Sequence, residues 1–458
     1  MLNIIREILK LALPAVGEMV LYMMIWVLDT LMIGNHTGQI GVSAVGLSSE
    51  IMYTFTNMLV AMGLSISVTS IVSRSIGSKD LEKARITSDI ALKIGTIIAV
   101  ILGIIFFTFP KEILTIAKAE GEYVLPLATK YMRICSIAIV FNVLTSVFNG
   151  IFRGCRNTKS PLYTAFIVNV VNVSLDYILI FGKFGAPEMG VAGGAIATAL
   201  GNFAGFLFTM TQLKKIPFKV NLFSEFRGDY FKELIKLTIP SALQEGAFSI
   251  NRLINVTLIM TLGSLAFAAN QITINIESIS FMPGWGFAIA CTSLVGYSIG
   301  EKDYKKAKSY VIYSMLLSSL VMGIFAIIFL VSPEPIITAF IKESEKEVIT
   351  IGSACLMIAS IEQIPIAISM VLGGALKGTG DSKTPFKIVL FTNWVIRLPL
   401  VYYFIYIQKS SVTYFWKITA FQWIIEAIII LVVFHYKWKK NYEVNKKKLL
   451  LKRARKNK

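Results

Sequence analysis

The stretch GLSISVTSIVSRSIGSKDLEKA (63–84) returns as GFAIACTSLVGYSIGEKDYKKA (286–307), with twelve identities in twenty-two positions at a constant offset of 223. The next loop repeats as well. VFNGIFRGCRNTKSP (147–161) matches VLGGALKGTGDSKTP (371–385), preserving Gly150/Gly374, Gly154/Gly378, Lys159/Lys383 and Pro161/Pro385. Upstream, LKLALP ending at Pro14 echoes IKLTIP ending at Pro240. The chain is therefore a duplicated unit, and the content of one copy decides the fold.

Each copy is apolar from end to end. Of 458 residues 55% are hydrophobic, the mean hydropathy is +0.68, and runs such as IGTIIAVILGIIFFTF (94–109) are unbroken. A transmembrane β-barrel would alternate apolar and polar positions, so these runs predict membrane-spanning α-helices. Twelve spans fit: 11–34, 44–75, 88–109, 124–152, 161–183, 189–213, 233–262, 268–299, 307–331, 347–376, 386–407 and 413–436. Six per copy is an even number, so the two copies enter the membrane in the same direction, an arrangement suited to rocking about a central cavity. The expected organisation is an N-lobe (1–213), a cytoplasmic linker (214–232), a C-lobe (233–436) and a polybasic cytoplasmic tail (437–458).

The net charge of +18 follows topology. Even-numbered loops hold roughly 20 Lys and Arg and odd-numbered loops roughly 7, which by the positive-inside rule places both termini in the cytoplasm of a cell whose inner (plasma) membrane holds the chain. The tail is expected to lie on anionic headgroups rather than on nucleic acid. The N-terminus lacks a small-residue cleavage site and reads as a retained first helix. Cys135, Cys155, Cys291 and Cys355 are scattered, without metal or disulfide spacing. No G-x-x-x-x-G-K-[ST], H-E-x-x-H or G-x-S-x-G motif is present, and His36 and His435 sit near predicted membrane edges, so neither ATP hydrolysis nor enzyme catalysis is expected.

One apolar segment carries polar residues that need a reason. VNVVNVSLDYILIFG (168–182) places Asn169, Asn172 and Asp176 at i, i+3 and i+7, on one side of a helix. An aspartate at mid-bilayer costs about 2.5–3.5 kcal/mol on insertion scales, so it calls for a partner or a task.

Three features together resemble the multidrug and toxic compound extrusion (MATE) family over nearly the whole chain. They are the first span LALPAVGEMVLYMMIWVLDTLMIG (11–34) with Pro14 and Asp29, the two duplicated loops, and GKFGAPEMGVAGGAIATAL (182–200) opening the sixth span. Asp176 after NVVNVSL resembles the DinF branch. The resemblance implies a V-shaped twelve-helix protein that exports organic cations or other amphipathic compounds against an inward H+ or Na+ gradient. It places the ion site at Asp29, Asn172, Asp176 and Thr198, and a bend of the first helix at Pro14. It brings no cofactor other than the coupling ion. The expected partners are small molecules and membrane lipids, and the expected state is a monomer. The alternative is a lipid-linked oligosaccharide flippase of the same superfamily, which would need several cavity arginines for pyrophosphate.

Physical chemistry adds to this reading. Two carboxylates in one polar pocket repel, so one holds a proton near neutral pH unless a cation neutralises both. Asn169, Asn172 and Thr198 offer oxygens to sodium or hydrogen bonds to a protonated acid, leaving the ion open. Glu18, three turns from Asp29 on nearly the same face, is expected to line the cytoplasmic half of the cavity or to sit solvated at the interface. Glu245 has Arg252 at i+7 and is expected either to pair with it or to meet substrate or ion. Glu277, Glu362 and Arg397 are further intramembrane charges, which attract a cationic substrate or pair with one another. No tenth-span aspartate matches the one that another branch uses. In the duplicated loops Gly77 and Gly300 are expected to permit the turn, and Asp80 and Asp303 to cap the helix that follows.

Overall fold

The computed structural model describes residues 1–116, 123–221, 226–341 and 344–456, with side chains described as far as Lys440. Among these residues every regular element is helical, as hydrocarbon requires when each backbone N–H and C=O must find its partner within its own segment. The first helical run, Leu2–Gly77, holds two crossings. Gly38 breaks it with φ 63° and ψ −155°, a backbone that a residue with a Cβ rarely adopts. The run thus divides into α1 (2–37) and α2 (39–77). There follow α3 (Leu81–Thr108), α4 (Val124–Gly154), α5 (Lys159–Phe181) and α6 (Val191–Gln212) in the first copy. The second copy has α7 (Gly228–Met260), α8 (Ser264–Gly300), α9 (Tyr304–Val331), α10 (Lys346–Gly378), α11 (Lys383–Ile407) and α12 (Val412–Lys456). Ten described segments are long and apolar enough to span a bilayer. The count reaches twelve because one of them is double and because α7 falls short in hydropathy, carrying Glu233, Lys236, Glu245 and Arg252 along its length. Of these, Glu245 and Arg252 face the central cavity, and Glu233 pairs with Arg74 and Lys83.

The helices overrun the predicted spans. Starting at Leu2, α1 places Ile8, Leu11 and Ala12 against Phe287, Leu294 and Val371 of the second copy. In return α7 begins inside the predicted linker and sends Leu234 and Leu237 into the core of the first. The linker is thus shorter than its composition suggests, and its residues 222–225 lie outside the described ones. At the other end α12 continues into the basic tail as far as Lys456; the tail side chains from 441 on, and residues 457–458, also lie outside.

The duplication recurs in the hydrogen bonds. Thr69 Oγ1 donates to the Gly150 carbonyl and Thr292 Oγ1 to that of Gly374, both at 2.9 Å. Between the copies, Ser70 Oγ donates to the Lys377 carbonyl and Ser293 Oγ to that of Arg153, both at 2.5 Å. These are matching positions of the repeat, so α2 and α8 meet across a pseudo-twofold axis and close the molecule on the side of the Lys- and Arg-rich loops.

Asp80 and Asp303 cap α3 and α9 as expected, accepting from Lys83 N and Lys306 N at 2.9 Å. The glycines beside them act differently from the expectation. The left-handed residues of the two turns are Lys79 (φ 64°) and Lys302 (φ 63°). Gly77 and Gly300 instead make room at the axis: a Cβ on Gly77 would lie 2.0 Å from the Tyr297 carbonyl oxygen, and one on Gly300 2.1 Å from that of Arg74.

Candidate functional site

Asp29 on α1 and Asp176 on α5 face each other inside the first copy, both buried. Close packing brings them together. A Cβ on Gly194 of α6 would lie 3.7 Å from Asp176 Oδ1 and 3.2 Å from Ile33 of α1, so a glycine there leaves the pocket its room. The Asp29 carboxyl has Asp176, Asn172 and Thr198 as side-chain neighbours within hydrogen-bonding reach, and Asn172 Nδ2 points to Thr198 Oγ1 at 3.4 Å. Among the described residues no lysine, arginine or histidine offsets the pair. Both Asp176 oxygens, Asp29 Oδ1 and Asn172 Oδ1 are buried without a donor. Buried acceptors without donors are costly, and a proton or a hard cation would satisfy them. Asn169 stands apart: its Nδ2 donates to the carbonyls of Leu21 (3.0 Å) and Ala165 (2.9 Å), tying α5 to α1. Pro14 lies inside a helix whose dihedrals stay helical around it, although its ring removes the bond to the Lys10 carbonyl.

Glu18 lies neither on the cavity wall nor in solvent. It is fully buried, with Arg153 Nη2 at 2.6 Å and Asn149 Nδ2 at 3.3 Å. The arginine of α4 reaches across and neutralises it. Glu245 and Arg252 also part company: Glu245 accepts from Asn57 Nδ2 at 3.1 Å, while Arg252 pairs with Glu50 of α2. Residue 252 lies almost two turns beyond 245, whereas Glu50 faces it from the opposite wall.

In the second copy Glu277 (α8) and Glu362 (α10) come together. Gln363 Nε2 approaches Glu277 Oε1 at 3.4 Å, and Ser280 Oγ donates to Gln363 Oε1 at 2.8 Å. Glu426 of α12 joins them electrostatically, accepting from Thr392 Oγ1 at 2.7 Å and Gln422 Nε2 at 2.8 Å. Arg397 faces all three acids, its guanidinium 5.1 Å above the Phe415 ring. It sits in a π-helical stretch, Phe391–Arg397, a wider turn frequent at functional sites. Glu277, Arg397 and Glu426 border a central cavity of about 400 Å³ between α2 and the C-lobe helices, lined also by Glu245, Arg252, Arg153, Lys377 and Trp285; Glu362 is buried behind Glu277 and is not on its wall.

A family model described as MatE matches residues 14–178 and 240–403, once in each copy. The chain belongs to the MATE family. Among its relatives, the probable multidrug resistance protein NorM of Thermotoga maritima is 32% identical over 87% of this chain and 85% of its own length. The probable multidrug resistance protein YoeA of Bacillus subtilis is 23% identical over 96% and 93%. Two solved structures share the fold: an outward-facing MATE transporter of the MOP superfamily (TM-score 0.88, 20% identity, 95% of this chain and 96% of that one) and a MOP superfamily transporter from Pyrococcus furiosus (TM-score 0.87, 22% identity, the same coverage). A MATE protein is a transporter, not an enzyme, and this one is a multi-pass membrane protein with two parallel six-helix repeats.

Sequence reasoning passed over several charged residues of this MATE chain. Glu426 is a lone acid in the apolar run WIIEAIIILVV (423–433), the same signal that marks Asp176. Arg153 and Lys377 occupy matching places in the duplicated loop, each before a retained glycine. Glu50 and Asn57 had no such signal, because nothing local to α2 says which wall it faces.

Proposed function

We propose that this protein is a secondary active multidrug exporter, moving organic cations or other amphipathic compounds out of the cell in exchange for H+ or Na+. The observation that supports it is the Asp29–Asp176 pair, two buried carboxylates with undonated oxygens and, among the described residues, no basic side chain beside them. Occupancy by a proton or sodium neutralises the pair and biases the N-lobe between its two orientations; release restores the repulsion. The pair follows the DinF-like pattern. In this reading the protein sits in the plasma membrane with both termini cytoplasmic and works as a monomer. With the basic loops taken as cytoplasmic, the seam of α2 and α8 closes that side, which on this assignment is an outward-facing state. The flippase reading fares worse, because the cavity arginines are already engaged: Arg153 by Glu18, Arg252 by Glu50, Arg397 among three glutamates.

The test is efflux of a fluorescent cation from vesicles under imposed proton or sodium gradients, for wild type and Asp176→Asn. Gradient-driven efflux by the wild type and its loss in the variant are expected. An unchanged variant would sink the coupling assignment, and transport of a lipid-linked oligosaccharide in place of the dye would favour the flippase.

A further inference from the structure

Of the four basic side chains on the cavity wall, Lys377 is held differently from the rest. It is 7% exposed and lies at the cavity floor, where its carbonyl takes the Ser70 hydroxyl and α10 meets α2. Among the described residues its ammonium makes no hydrogen bond and no ion pair. The duplication explains this. Lys377 is the counterpart of Arg153 at the offset of 224, and in the first copy that arginine is neutralised by Glu18. In the Pro14/Pro240 register the counterpart of Glu18 is Gln244. The second copy thus keeps the cation and has an amide in place of its acid. Glu245, one residue on, is the acid that acts on Lys377 electrostatically, but it spends its hydrogen bond on Asn57 and forms no close ion pair with the ammonium. Gln244 Oε1 is itself buried without a donor.

A nearly buried ammonium with an acid near it but no hydrogen-bonded partner is costly unless something arrives to pair with it directly. The floor of a cavity that accepts small molecules is where an arriving partner would be met. We propose that Lys377 anchors a carboxylate on the transported compound, while the aromatic wall at Phe248 and Trp285 takes its apolar body. The inference rests on the exporter reading and narrows it: the substrates include amphipathic acids and zwitterions as well as plain cations. Gln244 follows as the residue that keeps the site open, since a glutamate there would occupy the ammonium permanently.

The probes are rhodamine B, which carries a free carboxylate beside its cationic ring system, and its ethyl ester, which keeps the rings and the cation but loses the acid. Binding of each to the purified full-length protein in lipid nanodiscs is read by fluorescence polarisation. Lys377→Gln is expected to weaken the acid about tenfold, the scale of one charge-assisted hydrogen bond, and to leave the ester within about twofold. Lys377→Arg is expected to keep the preference for the acid. Unchanged ester binding also shows that the variant is folded. Equal weakening of acid and ester, or no change in either, overturns the role of Lys377 and leaves the exporter reading standing. A wild type that binds neither dye and shows no gradient-driven efflux overturns both.

Discussion

The two lobes descend from one six-helix unit, yet their buried charges are balanced in opposite ways. In the N-lobe the basic residue of the duplicated loop, Arg153, has its acid in Glu18, while the Asp29–Asp176 pair has no cation. In the C-lobe the acids Glu277, Glu362 and Glu426 have Arg397 among them, while the loop's basic residue, Lys377, has Glu245 near it but no acid hydrogen-bonded to it. Each lobe leaves a different charge without a direct partner. A carboxylate pair without a basic neighbour suits a mobile cation and an ammonium without a direct partner a mobile anion, so in the proposed reading duplication followed by a few substitutions separates an ion site from a substrate site.

The largest effect tests the balanced half of the N-lobe. Glu18→Ala strands Arg153 in a buried setting and is expected to cost about 3–5 kcal/mol, read as a large fall in Tm by intrinsic fluorescence in detergent. Gln244→Glu in the C-lobe is expected to raise Tm by giving Lys377 a direct partner in addition to Glu245. A stabilising Glu18→Ala or a destabilising Gln244→Glu would break the comparison.

The next effect is functional. Asp176→Asn is expected to reduce gradient-driven efflux about 5–150-fold, the usual span of a coupling energy, and Glu362→Gln to stay below the ~5-fold floor because Arg397 remains beside it. Equal losses would mean that both lobes read the gradient. At the seam between the copies, Gly300→Ala sets a methyl against the Arg74 carbonyl and should destabilise the closed state by about 1–3 kcal/mol. Faster labelling of a cysteine introduced on the loop side would report it, and unchanged labelling would count against a seam that closes through this glycine.

The smallest effects lie at the rim. Arg252→Gln removes a half-exposed pair with Glu50 and should change stability by about 0–1 kcal/mol. Asp381, in the loop between α10 and α11, accepts from Lys437 Nζ at 2.5 Å and so fastens α12 to that loop. Burial pushes its carboxyl up, but the hydrogen bonds from Lys437 and Thr384 outweigh it and the net direction is down. A carboxylate with a depressed folded value stabilises above its unfolded value of about 3.9 and loses that contribution as pH falls through the folded one. Asp381→Asn should therefore lower Tm slightly at pH 7, with the gap to wild type closing below about pH 3.9. A gap that persists in acid would assign the effect to packing.

The sequence by itself determined the twelve-helix duplicated fold, because a bilayer admits little but apolar helices and a repeat with a constant offset leaves little choice of topology. It also marked Asp29 and Asp176, whose cost in lipid makes them conspicuous, and the caps at Asp80 and Asp303, which act within one turn. What it left undecided were the partnerships. Glu18 with Arg153, Arg252 with Glu50 and Glu426 with Arg397 join residues from different helices, and whether a charge meets a counter-charge, water or nothing depends on how those helices cross. The glycines at 77 and 300 belong to the same class: their local sequence suggests a turn, and only the approach of the other copy's backbone reveals that they hold the two lobes close. Tertiary structure alone decided which buried charges are paired directly and which, like Lys377, have a counter-charge only at a distance, since burial makes a charge costly and only the fold sets how near its neighbour comes.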